Sequence, residues 1–181
     1  MANSVTADVE RATTWSIVLS VLLMIAGVLA MVVPMVAGLA FTVFVGWLLI
    51  FSGILHLVFA FSAGRPRMAV WQVLLGLAYG FIGYYVLANP VAGLAGLTFA
   101  IALYLFVEGV LEFVLSFQLR PAAGSGWLLV DGIVTLVLAI MIWSTWPTSA
   151  AWAVGVLVGV SMFFSGLTRL MLSLAVRRIV A

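Results

Sequence analysis

From Ala12 to Ala63 the chain carries no Asp, Glu, Lys or Arg. Soluble domains keep such residues on their surfaces, so a run of this length without them points to lipid as the solvent. Composition agrees. Hydrophobic residues make up 67% of the 181 and charged residues 7%, against roughly 45–50% and 25% in soluble domains. About 20 apolar residues at about 1.5 Å each cross a hydrocarbon core of about 30 Å. The segment WQVLLGLAYGFIGYYVLANP, Trp71–Pro90, is therefore one crossing. Its indole suits the headgroup level at one face, and its proline marks the turn at the other.

The same interval recurs. Trp15, Trp71 and Trp127 are 56 and 56 apart; Pro34, Pro90 and Pro147 are 56 and 57 apart; Gly53, Gly109 and Gly166 are 56 and 57 apart. Three landmark types kept in phase across three copies indicate a repeat of two crossings joined at a proline. The reading is an all-α membrane protein of six transmembrane helices, arranged as three tandem helical hairpins with a pseudo-threefold arrangement. The spans fall near 15–33, 38–62, 69–88, 93–117, 127–146 and 150–174. An N-terminal tail, 1–14, precedes repeats over 15–64, 65–123 and 124–181, the last ending in a basic tail. Each hairpin returns to the side it left, so the copies are parallel repeats about an axis along the membrane normal.

Orientation follows from arginine. Arg11, Arg65, Arg67, Arg120, Arg177 and Arg178 lie at the chain ends or in the connections between hairpins, and the three proline turns carry none. Positive residues stay cytoplasmic, so both termini are expected on the cytoplasmic side. The N-terminal segment is too acidic for a signal-peptide n-region and leads into a repeat, so cleavage is not expected. The pI near 9.5 comes without a basic run interleaved with aromatics, so no nucleic acid is expected as partner. There is no cysteine, which excludes disulfides and thiolate metal sites.

Small residues suggest how the helices touch. Gly76 and Gly80 form a GxxxG step with Gly83 one turn on, and Gly155 and Gly159 form another. Such steps allow close approach where lipid supplies little hydrophobic drive. Glycine is also simply common in membrane helices, and both readings stand. Trp143, Trp146 and Trp152 flank the third turn as an outer belt, with Tyr84 and Tyr85 at that level. Trp47, Tyr79 and Tyr104, near mid-depth, are expected to fill the core.

The informative residues are polar. One position before each landmark glycine stand Ser52, Glu108 and Ser165; three positions after stand His56, Glu112 and Arg169. The two sites are four apart and share a helix face. If the copies surround one axis, equivalent positions all face it or all face lipid. A charge at the centre of a spanning helix costs roughly 3 kcal/mol or more, which favours the inward arrangement. The expectation is a two-layer polar cluster in the cytoplasmic third, with Asp131 as a further member and Glu108, the deepest, as the residue whose protonation matters most. Plainer readings remain: an interfacial His56, a snorkelling Arg169, a Glu112 that caps a neighbour. Further out come Leu48, Tyr104 and Ser161, then Phe44, Ala100 and Leu157. That closure favours a cytoplasm-facing pocket or a buried network over an open pore.

These landmarks resemble the HdeD family of bacterial inner-membrane proteins, built from short repeats of a domain of unknown function. The resemblance rests on VGWLLIFSGI (Val45–Ile54), IGYYVLANPVAG (Ile82–Gly93) and FSGLTRLM (Phe164–Met171) in their threefold setting, and it covers about Trp15 to Val176. It implies a role linked to acid resistance or envelope stress, with no catalytic residues to carry over.

Several functions remain in view. The leading one is a non-enzymatic membrane protein whose Glu–His–Arg cluster senses protons. The alternative is a transporter or channel for protons or a small solute, against which stand the apolar outer half and the absence of broken helices at mid-depth. An enzyme is not expected, because there is no HExxH and no nucleophile–base pair; no metal or other cofactor is expected either. Beyond the lipid bilayer, association into a homo-oligomer stays open, and no ligand is named.

Overall fold

The computed structural model describes the backbone of residues 2–62, 64–119 and 125–180, and the side chains of residues 13–62, 64–119 and 125–176. It is all-helical. The elements are α1 (Ala2–Val32), α2 (Pro34–Ser62), α3 (Pro66–Ala88), α4 (Pro90–Gln118), α5 (Ser125–Ser144) and α6 (Ala153–Val180), with a 3-10 turn at Thr148–Ala151. Among the described residues, six segments are long and apolar enough to cross a membrane.

Proline does more than occupy a turn. Pro34, Pro66 and Pro90 each open a helix, where the missing N–H has no intrahelical partner to lose and the fixed φ is already helical. The connections therefore shrink to one residue, Val33 before α2 and Asn89 before α4. The third turn differs: the extra residue is absorbed by the 3-10 turn after Pro147, which follows a cis peptide bond. Within that turn Ser149 Oγ donates to the Ile142 carbonyl at 2.8 Å. α1 begins well before Trp15, so the polar N-terminal segment continues the helix. The guanidinium groups of Arg11, Arg120, Arg177 and Arg178 lie outside the described side chains.

The helices form two compact units, Met1–Gly38 with Val154–Ala181, and Leu39–Ala153. In the first, α1 packs on α6. A Cβ on Gly27 would lie 2.7 Å from the Gly159 carbonyl oxygen and 2.7 Å from the Phe163 nitrogen; one on Gly166 would lie 2.8 Å from the Ser20 oxygen. Ser16 and Ser173 hydroxyls meet at 2.8 Å across the same seam.

In the second unit the close partners are α2 with α3 and α4 with α5. A Cβ on Gly53 would meet the Gly76 oxygen at 2.8 Å, and one on Gly83 the Gly46 oxygen at 2.8 Å. A Cβ on Gly109 would stand 3.1 Å from the Gly132 oxygen. Numbers rise on one helix as they fall on the other, so each pair is antiparallel. α4 packs far more extensively on α5 than on α3, to which Asn89 joins it directly.

One pattern underlies all three seams. Small residues recur every seventh position: Thr13, Ser20, Gly27 on α1; Gly46, Gly53, Ala60 on α2; Ala69, Gly76, Gly83 on α3; Ala102, Gly109, Ser116 on α4; Ser125, Gly132, Ala139 on α5; Gly159, Gly166, Ser173 on α6. All are buried except the half-buried Ala69 and Ser125. A repeat of seven keeps one stripe facing its partner over the whole helix, and small side chains bring the backbones into van der Waals contact. Buried hydroxyls on and beside these stripes turn back on their own helix: Ser20 Oγ donates to the Ser16 carbonyl at 2.7 Å, Thr98 Oγ1 to Leu94 at 2.7 Å, Ser116 Oγ to Phe113 at 2.6 Å. That satisfies them without demanding a partner across the seam.

Candidate functional site

The polar residues on α2, α4 and α5 belong to the second unit. His56 and Ser52 are half-buried on α2. His56 Nδ1 is 2.5 Å from Gln72 Oε1 on α3. The amide oxygen accepts, so Nδ1 is the donor. The ring also stacks on Tyr79, centroids 5.3 Å apart and planes within 6°. Histidine is therefore fixed on two sides by α3, and no carboxylate among the described residues pairs with it.

Glu108 and Glu112, also half-buried, lie one turn apart on α4. Tyr104 donates its hydroxyl to Glu108 Oε1 at 3.2 Å. Glu112 Oε2 is enclosed and meets no donor. Its stem rests on the α4–α5 contact, 3.1 Å from where a Cβ on Gly132 would stand. Asp131, the residue before Gly132 on α5, is exposed. No group of three or more His, Asp or Glu among the described residues has a geometry that holds a metal ion.

Ser165 and Arg169 stand on the exposed surface of α6, in the first unit. Of the helix-packing glycines, Gly76 and Gly83 lie in the α2–α3 seam and Gly159 in the α1–α6 seam, all buried. Gly155 is the tightest: a Cβ there would fall 1.9 Å from the Pro34 carbonyl oxygen. Gly80 presents its backbone to Gly53, but a Cβ on Gly80 would meet nothing within 4 Å.

Two aromatics expected in the core are not there. Trp47 and Tyr104 are 53% and 63% exposed, while Tyr79 is half-buried against His56. The aromatic packing lies instead near the third turn. Trp143 meets Phe99 and Phe106 edge to face at 5.8 and 6.1 Å, and Trp146 donates its indole N–H to the Ala95 carbonyl at 2.9 Å. A recess of about 320 Å³ opens between α2, α3 and α4, walled by Thr42, Leu49, Ile82, Tyr85, Gly93 and Gly96 among others. Its residues fall toward the proline turns and are nearly all apolar.

Sequence reasoning passed over Gln72, although it is an amide inside a charge-free span. It also passed over the seven-residue stripes, because a step of four was the spacing sought.

The family of short repeats of unknown function (DUF308) matches this chain twice, over residues 18–88 and 74–144. The two matches start 56 residues apart (74 − 18), the interval of the tryptophan landmarks. Each takes in one whole close-packed pair, α2–α3 or α4–α5. Protein HdeD of Escherichia coli K12 is 34% identical over 151 residues, covering 81% of this chain and 78% of the relative. Protein HdeD of Escherichia coli O157:H7 and that of Shigella flexneri match to the same extent. No solved structure matches.

Proposed function

The chain belongs to the HdeD family of short-repeat membrane proteins, and from that premise we propose that it supports envelope or acid-stress tolerance without enzymatic chemistry, through polar residues whose protonation biases helix packing. In this reading three tandem hairpins surround a pseudo-threefold axis in the bacterial inner membrane, with both termini and the polar residues toward the cytoplasm. The arginine distribution supports that orientation: six at the ends and inter-hairpin connections, none at the proline turns.

The observation that carries the mechanism is Glu112 Oε2, enclosed without a donor where α4 meets α5. An unsatisfied buried acceptor costs about 1–3 kcal/mol, more when charged. Its two protonation states therefore differ in how they fit the seam. Glu108 stands one turn away on its own helix, and Asp131 adjoins Gly132, the residue of α5 that Glu112 packs against. Protonation at any of the three redistributes charge at a contact held by glycine backbones, which have no slack to absorb a shift.

Trp143 reports on this pair directly, because its ring packs on Phe106 of α4. Tryptophan emission of the full chain in lipid nanodiscs should change reversibly on acidification, and Glu112→Gln should abolish most of the change. Cells expressing Glu108→Gln/Glu112→Gln should lose acid survival that the wild type confers. An emission change of full size in the Glu112→Gln variant would overturn the mechanism; unchanged survival would overturn the role.

A further inference from the structure

Arg67 and Trp71 stand four residues apart near the start of α3, so guanidinium and indole lie on one face, a turn apart. Together with Val70 they line a recess of about 420 Å³. Its described walls are thus a cation, a branched hydrocarbon and an indole. Arg65 and Arg67 are exposed, and neither pairs with a carboxylate among the described residues. The same four-residue step occurs 56 positions earlier in the sequence, at Arg11 and Trp15, while the third copy has Ala123 before Trp127. Two occurrences at equivalent positions set the step apart from arginines scattered along a boundary.

The depth of the recess decides its ligand. Trp71 lies within two turns of the start of the spanning helix Pro66–Ala88, where an indole ring favours the headgroup level. Val70 lies beside it and Arg67 one turn toward water. An amphiphile with an anionic head and a hydrocarbon body matches that order of walls, and anionic phospholipids attract juxtamembrane basic residues. We infer that Arg67, Val70 and Trp71 form a binding site for an anionic phospholipid. The guanidinium takes the phosphate, and Val70 and the indole take the glycerol and the upper acyl chain.

The test uses the full chain in nanodiscs, with acyl-brominated phosphatidylglycerol or phosphatidylcholine as quencher. The signal of Trp71 is the difference between wild type and Trp71→Phe. At equal mole fraction, the anionic phosphatidylglycerol should quench Trp71 at least about twofold more than the zwitterionic phosphatidylcholine, and Arg67→Gln should remove that preference. Arg67→Lys should keep most of it. Arg65→Gln, which changes an arginine outside the recess walls, should leave it intact. Inorganic phosphate added at millimolar concentration should not compete. Equal quenching in the wild type, or a preference that survives Arg67→Gln, overturns the site. An equal loss in Arg65→Gln would replace it with a diffuse basic surface. Competition by inorganic phosphate would assign it to a free anion instead of a lipid.

Discussion

The carbonyl oxygen of Pro34 lies against the α-carbon of Gly155, so close that a Cβ there would be 1.9 Å away. The obstacle is backbone at the first turn of α2, which no rotamer change can move. Gly155→Ala should therefore be among the most damaging single-methyl additions in the protein, at the upper end of or beyond the about 1–3 kcal/mol of ordinary overpacking. Gly80→Ala and Gly96→Ala add the same methyl into open space. They should leave the thermal midpoint in detergent unchanged or slightly raised, since alanine is favoured over glycine in helices by about 1 kcal/mol. Thermal unfolding followed by circular dichroism distinguishes the three.

Gly53, Gly109 and Gly166 occupy equivalent positions, each against the backbone of a partner helix: Gly76, Leu136 and Ser20 respectively, at 2.8 to 2.9 Å from a built Cβ. Valine at any one of them should weaken its seam by about 1–3 kcal/mol. Three similar losses in thermal midpoint are expected. A single position that tolerates valine would show that its seam is not held like the other two.

Ser16 and Ser173 meet across α1 and α6 at 2.8 Å between hydroxyl oxygens. The protein has no native cysteine, so a pair introduced here reports without background. Ser16→Cys/Ser173→Cys should oxidise nearly completely under mild conditions and lose maleimide labelling, because a disulfide needs Cβ atoms about 3.5–4.5 Å apart. Full labelling after oxidation would contradict the α1–α6 pairing.

Gln72 holds the protonated Nδ1 of His56. Gln72→Leu removes the acceptor and leaves that donor half-buried, a loss of about 1–3 kcal/mol. Replacing both, as His56→Leu/Gln72→Leu, should recover part of the loss, because neither polar group is then stranded. Midpoints of the two single variants and the double variant form the cycle that checks this.

Much of the architecture is readable from residues alone, for a definite reason. Lipid requires about 20 apolar residues per crossing, and the tryptophan, proline and glycine landmarks repeat that requirement in register. Helix starts were displaced by a few residues, because proline satisfies the first position of a helix as readily as a turn. The placing of Trp47 and Tyr104 failed on different physics. In water a large ring gains by burial, whereas in a bilayer the acyl chains are as apolar as the protein interior, so both rings can remain exposed. What organises the seams is close backbone approach, which favours the smallest residues and is written as a step of seven. The partners of His56 were hidden for the same reason. They lie on α3, and only the α2–α3 seam brings Gln72 and Tyr79 to it.

The seam between α1 and α6 also sets an order of events at the ribosome. α1 finds its glycine-lined mate only when α6, beyond four intervening helices, has been made. With 127 residues (159 − 32) from the end of α1 to Gly159, the wait is roughly 6 to 25 s at about 5–20 residues per second. Until then the small-residue stripe of α1 is without the helix it fits.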